Sequence, residues 1–229
     1  MTRLPLLALL GALTLSACDS AEPDEVVDLS VQTAADVEAD PAVSIDGPPA
    51  STGRYTLYDL DAGEVVLASS ETDAAVRAAD STGTAWDIGF QATTLIFNGG
   101  TSGPGAGSAQ VLAEAFADVA EAPAAGYAVD GSNTSCPAVQ TPVGEVPGSP
   151  FAVCTGSGNG WYSYTDGAIT PIAGRTIVLT TGEGGYAKVR ILSYYRGNPA
   201  TPSGDSRYYT FEYVVQPDGS RDFQATTLD

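Results

Sequence analysis

Apolar and polar residues alternate along much of this chain, and a period of two is typical of β-strands with one buried face. The clearest case is a hairpin made of residues 176–181, a glycine-rich turn at 182–185 and a return strand at 186–195. In the return strand Lys188 and Arg190 alternate with apolar residues. This pattern predicts one face toward a core and one face toward water.

The same alternation predicts further strands at residues 54–60, 64–68, 86–97, 108–111, 161–164 and 207–216. Helical patterns are short: residues 113–120 are a helix candidate before Pro123, and the alanine-rich residues 71–79 fit one or two helical turns. So many strands with so little helix predict an all-β fold. We expect an antiparallel β-sandwich or open barrel of about eight to ten or more strands, with few short helices.

The first residues have the pattern of an export signal. Arg3 precedes an apolar run at residues 4–15, which is too short to span a bilayer. The run ends in Leu15-Ser16-Ala17-Cys18, which matches a bacterial lipobox. We therefore predict a lipoprotein signal peptide at residues 1–17 and lipid attachment at Cys18. The alternative is an ordinary signal peptide followed by a chance cysteine.

Residues 18–52 are acidic, contain no aromatic side chain and have four prolines. Such a composition buries too little apolar surface to order itself. The sequence therefore predicts a disordered tether at residues 18–52 and one β domain at residues 53–229.

The chain is strongly acidic, with 28 acidic residues, 9 basic residues and a net charge of −19. Phosphates would be repelled by this charge, which argues against nucleic acid as a partner. It also disfavours contact with an anionic membrane other than through the N-terminal lipid. Solubility is the simplest explanation of the charge.

Two cysteines besides Cys18 lie in a Gly-, Pro- and Ser-rich segment at residues 131–160. In an exported chain two remaining cysteines favour a disulfide, here between Cys136 and Cys154. A pair of thiolate metal ligands is the alternative, but the chain has no histidine and no Cys-x-x-Cys spacing. We therefore predict no protein metal site.

Catalytic motifs are missing from the sequence. Without histidine there is no Ser-His-Asp or Cys-His arrangement. The glycine-rich residues 99–107 are not followed by the Gly-Lys-Ser/Thr of a phosphate-binding loop. The sequence therefore predicts a protein that is not an enzyme.

Several blocks of residues occur in the order and spacing of one family of bacterial surface lipoproteins. They are residues 58–66, Trp86-Asp87, Asn98-Gly99-Gly100-Thr101-Ser102-Gly103, residues 105–107, Pro123, Gly126-Tyr127, Asp130, Gly160-Trp161, residues 185–189, Tyr194-Tyr195 and residues 209–213. Through these blocks the chain resembles the haem-binding HmuY family. The resemblance covers most of the predicted β domain.

The resemblance implies an all-β domain shaped like a hand, held on the outer surface of a bacterial cell for iron acquisition. Two hairpin "fingers" each bring one axial iron ligand to a haem, which then passes to an outer-membrane importer. The position matching one ligand is Asp166 or a neighbour. The other falls between Gly126-Tyr127 and Gly160-Trp161, where this chain carries its two cysteines.

The usual histidine or methionine ligands are absent, since the chain has no histidine and its one methionine is Met1. Tyrosine is another ligand of haem iron. The nearest candidates are Tyr127, Tyr162 and Tyr164, with Asp166 as a weaker oxygen ligand. Alternatively, Tyr162 and Tyr164 are sheet aromatics, one packed and one exposed.

Two functions remain open from the sequence. In the first, the lipoprotein binds haem or a related tetrapyrrole through oxygen ligands or apolar contact and delivers it to an importer. In the second, the same fold is a binding or scaffold module without haem, and the loop between Cys136 and Cys154 contacts a protein or a glycan.

Overall fold

The computed structural model describes residues 25–40, 51–141, 144–216 and 218–228. The predicted signal peptide and Cys18 lie outside the described residues. Fifteen strands and one helix form in the described part of the chain: β1 (Glu25–Asp28), β2 (Gln32–Glu38), β3 (Thr56–Asp59), β4 (Glu64–Leu67), α1 (Ala74–Ser81), β5 (Ile88–Gln91), β6 (Thr94–Phe97), β7 (Ser108–Leu112), β8 (Val139–Thr141), β9 (Gly144–Val146), β10 (Tyr162–Thr165), β11 (Ala168–Pro171), β12 (Thr176–Thr180), β13 (Tyr186–Tyr195), β14 (Ser206–Gln216) and β15 (Ala225–Leu228).

Two antiparallel sheets make the body of the domain. The larger sheet has the order β2-β14-β13-β12-β7, and the smaller has the order β4-β3-β5-β6. The remaining strands form three two-stranded pairs, β1 with β15, β8 with β9 and β10 with β11. The all-β fold expected from the sequence is confirmed, and the two separate sheets make it a sandwich rather than a barrel.

The main core lies between the two sheets and is rich in aromatic rings. Phe90 of the smaller sheet packs on Tyr209 and Phe211 of the larger, with ring centroids 4.7 and 5.2 Å apart. Tyr58 meets Phe211 edge to face at 5.3 Å. Each of these rings is at most 4% exposed. Aromatic contacts of this kind stabilise beyond the area they bury, which explains the strand pattern with aromatic residues at alternate positions.

The outer face of the larger sheet is also covered, which corrects the expectation of a wet face. Val178 and Val214 pack there against Phe116, Val119 and Phe223. Lys188 is only 6% exposed, and its Nζ donates hydrogen bonds to the carbonyls of Phe116 and Val119 at 3.0 and 2.7 Å. A long lysine side chain can cross an apolar layer when its ammonium group finds carbonyl oxygens at the far end.

The two predicted helices have different outcomes. Residues 74–81 form α1, and the carboxylate of Asp73 caps it by accepting from the backbone N–H groups of Ala75 and Val76. The helix expected at residues 113–120 is wrong. The N–H groups of Asp118 and Val119 both bond to the carbonyl of Ala115, so only a single turn forms there.

The acidic segment predicted to be a disordered tether contains two strands, so the boundary at residue 53 is wrong. β2 extends the larger sheet by pairing with β14, and β1 pairs with β15. Ala34, Val37 and Ala39 point inward and are at most 6% exposed. A bulge at Asp36, where φ is +54°, brings both Ala34 and Val37 to the inner face although they are three residues apart. These small apolar residues order a segment whose average composition suggests disorder.

No helix in the described residues is both long enough and apolar enough to cross a membrane.

Candidate functional site

The residues that carry the family resemblance hold the two sheets together. Asp87 is 2% exposed, and its two carboxylate oxygens accept hydrogen bonds from the backbone N–H groups of Leu60 and Gly182, each at 2.8 Å. Leu60 follows β3, and Gly182 lies in the β12–β13 turn. Burial raises the pKa of Asp87 to about 7, against the effect of the two hydrogen bonds. This carboxyl group therefore joins the turns of both sheets.

Asn98 has the same joining role for the glycine-rich loop. Its amide nitrogen donates to the carbonyls of Gly83 and Trp86 at 3.0 and 2.7 Å, and its side-chain oxygen accepts from Gly105 N–H at 3.0 Å. A side chain at Gly99 would collide with the backbone of Gly107. The loop at residues 98–107 is therefore a tight connection between strands, as the sequence predicts.

Asp130 ties the long segment after β7 to the smaller sheet. It is 1% exposed and accepts from Phe97 N–H at 2.9 Å and from Ala152 N–H at 2.7 Å. Burial raises its pKa. Asp87, Asn98 and Asp130 are thus all committed to the scaffold, and the ligand site must be sought elsewhere.

The β10–β11 hairpin, here called the finger, carries three of the predicted site residues. Tyr162 begins β10, is 7% exposed and packs 4.9 Å from the ring of Trp161. Tyr164, two residues further along, is 58% exposed. Asp166 and Gly167 have φ angles of +51° and +82°, as a tight two-residue hairpin turn requires, and they form the exposed tip. The sequence left open that Tyr162 and Tyr164 are ordinary strand residues, one packed in the core and one exposed. Their positions in the finger agree with that interpretation.

Tyr127 is separated from the finger. Its ring lies 6.3 Å from that of Tyr186 and packs in the cluster on the outer face of the larger sheet. Trp161 and Tyr162 belong to the core on the inner face. Burial raises the pKa of Tyr127 to about 12, which further disfavours the phenolate form. The structure does not bring Tyr127 together with the finger tyrosines, because the sheet stands between them.

The predicted disulfide between Cys136 and Cys154 is present, with a Cα–Cα distance of 5.3 Å. It closes the stem of a second hairpin, β8–β9. The side-chain amide of Asn133 donates to the carbonyls of Phe151 and Ala152 at 2.8 and 3.2 Å and so holds the two sides of the stem together. Below the disulfide, a side chain at Gly160 would collide with the backbone of Cys154, so the stem lies directly against the start of β10.

A cavity of about 330 Å³ lies beside the finger, between β11, the 172–175 turn and β13. Arg175 and Arg190 both line it. Arg175 donates to the carbonyls of Gly158 and Gly160, which fix its position without neutralising its charge. Arg190 pairs with Glu212 and lies 5.2 Å from the ring of Phe116 on the outer face of the larger sheet, so Arg175 supplies the unbalanced charge of the cavity. No sequence pattern marks Arg175, although positive charge near the finger is unusual in a chain with nine basic residues.

A larger cavity, of about 490 Å³, lies between β2 and the β3–β4 hairpin. Its charged lining residues are Asp36, Glu38 and Glu64. An anionic ligand would be repelled by these carboxylates, whereas the cavity beside the finger offers it positive charge. The finger, its cavity and the stapled β8–β9 stem are therefore the candidate site.

One group of carboxylates in the described residues is close enough to hold a cation: Asp59, Asp61 and Asp87 place oxygens within 4.8 Å of one another. Both oxygens of Asp87 already accept backbone hydrogen bonds, and Asp59 accepts from Ala62 N–H at 2.8 Å. Although Asp61 is exposed as a residue, partial desolvation of its carboxyl group and the neighbouring acids Asp59 and Glu183 raise its pKa. The hydrogen bonds account for this cluster as part of the β3–β4 turn.

Three solved structures of bacterial proteins are similar to this chain. No curated protein matches the chain. It is similar to the apo form of an HmuY analogue from Tannerella forsythia, with 15% identity, 86% of this chain and 99% of that chain covered, and a TM-score of 0.43. It is also similar to a candidate HmuY-like haem-binding protein from Bacteroides vulgatus, with 17% identity, 80% and 91% coverage, and a TM-score of 0.43. A candidate lipoprotein from Bacteroides fragilis has 15% identity, 70% and 82% coverage, and a TM-score of 0.39.

The family model described as HmuY protein matches residues 51–213. This span runs from the residues before β3 to within β14 and contains Asp87, Asn98, Asp130, the disulfide and the finger. The match covers well over half of the chain, so this protein belongs to the HmuY family.

Proposed function

We propose that this protein is a lipoprotein of the bacterial outer membrane, anchored through Cys18 and exposed at the cell surface, that binds haem or a related tetrapyrrole at the finger and passes it to an outer-membrane importer. The observation that carries the proposal is the exposed tip of the finger beside an arginine-lined cavity. Tyr164 and Asp166 are oxygen donors free of the core, and Arg175 lies at the base of the same hairpin.

These residues fit a haem held without histidine. A bound haem would supply an iron centre that accepts an oxygen ligand and two propionates that carry negative charge. The phenol of Tyr164 can provide a ligand or a flat apolar contact, and Asp166 can provide a carboxylate. Arg175 can pair with a propionate carboxylate. Tyr162 is packed in the core and supports the strand from which Tyr164 projects.

A titration of the domain with haemin, followed through its Soret absorption, tests the proposal. We expect a red-shifted, saturable Soret band. Tyr164→Phe and Asp166→Ala are expected each to weaken haemin binding by about tenfold, which corresponds to about 1.4 kcal/mol. Tyr127→Phe is the matched control, because it removes the same hydroxyl on the other side of the larger sheet and is expected to leave the titration unchanged.

The alternative function is a haem-free binding or scaffold module, and the disulfide-stapled β8–β9 hairpin favours it. The staple orders a segment that stands outside both sheets, and Glu145 and Val146 on it are exposed. A rigid projecting hairpin can contact a protein or a glycan with little loss of entropy. No Soret shift with the wild-type domain, or a shift unchanged in both finger variants, would favour this alternative over a coordinated haem.

A further inference from the structure

The N-terminal segment joins the domain at one end of the larger sheet. Gln32 at the start of β2 pairs with Tyr213, and Tyr186 at the start of β13 pairs with Gln216. Leu29 N–H donates to the carbonyl of Gln224 at 3.1 Å. The chain therefore enters beside the β12–β13 turn at residues 181–185. We call this end of the sandwich the entry end.

The finger lies at the opposite end of the same sheet. The Tyr195 hydroxyl, at the far end of β13, accepts a hydrogen bond from Ile169 N–H of β11 at 3.0 Å. At the base of the finger, the ring of Trp161 lies 6.0 Å from that of Tyr194. Nine residue steps separate Tyr186 from Tyr195 along β13. At about 3.3 Å per step, the finger is about 30 Å from the entry end.

The connection between the anchor and the domain is short. β1 begins at Glu25 and pairs with β15, so only residues 19–24 lie between Cys18 and the first strand. Counted to Glu25, the path from Cys18 is seven residue steps, which reach at most about 25 Å when fully extended. This reach is shorter than the distance from the entry end to the finger, whereas a tether ending at residue 53 would be five times as long and would leave the domain free to turn over.

We infer that the entry end faces the lipid bilayer and the finger faces away from it, so that ligands and partner proteins reach the finger from the side opposite the membrane. This inference rests on lipid attachment at Cys18, which is part of the proposed function. Asp59, Asp61 and Glu183 lie at or near the entry end and repel anionic lipid headgroups, so the short tether, and not charge attraction, sets this orientation. The domain is thus held near the bilayer by its tether, and its finger stays accessible.

Energy transfer to the membrane surface tests this orientation. Because Cys136 and Cys154 are bonded, Cys18 is the one free thiol of the unlipidated mature chain, and it can be coupled to a maleimide lipid in phosphatidylcholine vesicles. A donor dye is attached through p-azidophenylalanine at Glu183 in one variant and at Thr165 in another. Both positions are exposed, one in the β12–β13 turn and one next to the finger tip. The acceptor is a rhodamine-labelled lipid.

We expect at least twofold more transfer from position 183 than from position 165. Insertion of a 20-residue Gly-Ser linker after Asp19 is the control and is expected to bring the two values together. Equal transfer without the linker, greater transfer from position 165, or a difference that the linker does not reduce would each overturn the inference. Chemical coupling makes the test independent of natural lipidation, and haemin titration of the same protein reports separately on ligand binding.

Discussion

Single buried side chains hold together backbone segments that are far apart along this chain. Asp87 joins Leu60 to Gly182, and Asp130 joins Phe97 to Ala152. In each case one carboxyl group accepts hydrogen bonds from two backbone N–H groups. A buried donor left without an acceptor costs about 1–3 kcal/mol, so these positions tolerate little change.

The exchange Asp87→Asn tests this role. The amide replaces one acceptor oxygen by an NH₂ group, which would face a backbone N–H. We expect the free energy of unfolding to fall by about 1–3 kcal/mol in urea titrations. Asp61→Asn is the matched control, because Asp61 belongs to the same acidic cluster but is exposed. Equal losses in the two variants would contradict a specific role for the Asp87 hydrogen bonds.

The same variant has a predictable pH dependence. Burial raises the pKa of Asp87 to about 7, whereas the unfolded chain has its ordinary value near 3.8. Between these values the folded state holds a proton that the unfolded state has released, so the contribution of Asp87 to stability falls as pH rises from about 4 to 7. Asp87→Asn should therefore cost more stability at pH 4.5 than at pH 8. A larger cost at pH 8 would show that Asp87 is held as an anion.

Lys188 is the single lysine of the chain and lies under the segment at residues 115–122. Burial lowers its pKa and also blocks access of reagents. We expect acylation by an N-hydroxysuccinimide ester at pH 8 to be at least about tenfold slower at Lys188 in the native protein than in urea, measured by mass spectrometry of peptides. The α-amino group is the internal control. Equal rates at Lys188 would mean that the outer face of the sheet is open.

At the scale of elements, the side chains of a strand become exposed to solvent where the strand extends beyond the core. β10 begins with the buried Tyr162 and ends with the exposed Thr165. The finger is therefore built on a fixed base and ends in a free tip. β8 and β9 are similarly held at their base, in this case by a covalent bond between the two sides of the stem.

Removal of the disulfide tests how far the second stem depends on it. Closing a loop of this length stabilises by roughly 3 kcal/mol on the chain-entropy account, so we expect the Cys136→Ser, Cys154→Ser variant to lose about that much in urea titrations. Reduced wild-type protein should show the same loss. Unchanged stability in both samples would mean that Asp130 and Asn133 hold the stem without the covalent bond.

For the whole molecule, the main consequence of the fold is that the domain begins well before residue 53. β2 covers the edge of β14, and without it a long strand rich in aromatic residues would have an open edge. Open edges of this kind pair with other chains. The N-terminal segment is therefore part of the folded unit, and the tether that remains is short.

Shortened chains test this boundary. A chain that begins at Glu25 is expected to unfold at the same urea concentration as one that begins at Cys18. A chain that begins at Gly53 lacks β1 and β2 and loses the buried Val37 and two buried alanines, which should cost about 3 kcal/mol or more and promote aggregation. Static light scattering and urea titration give the comparison. Equal stability of all three chains would mean that residues 25–40 belong to the tether and do not stabilise the folded domain.

The sequence predicted well those features that depend on local pattern. The β12–β13 hairpin follows from alternating residues around a glycine turn, and the disulfide follows from two cysteines in an exported chain. The sequence-based predictions were wrong where contact with a distant segment decided whether a residue is buried or ordered. Lys188 looks like a solvent-facing residue until residues 115–122 cover it, and β2 looks disordered until β14 offers it hydrogen-bonding partners.

The sequence by itself determined the class of fold, the family and the absence of histidine and methionine from the ligand positions, because these depend on residue identity and spacing alone. Only the tertiary structure decided which residues could act together. It put Tyr127 behind the sheet, left Tyr164 and Asp166 exposed at the finger and brought Arg175 to its base. These relations are set by packing between residues far apart in sequence, and no local pattern records which face of a sheet another segment will cover.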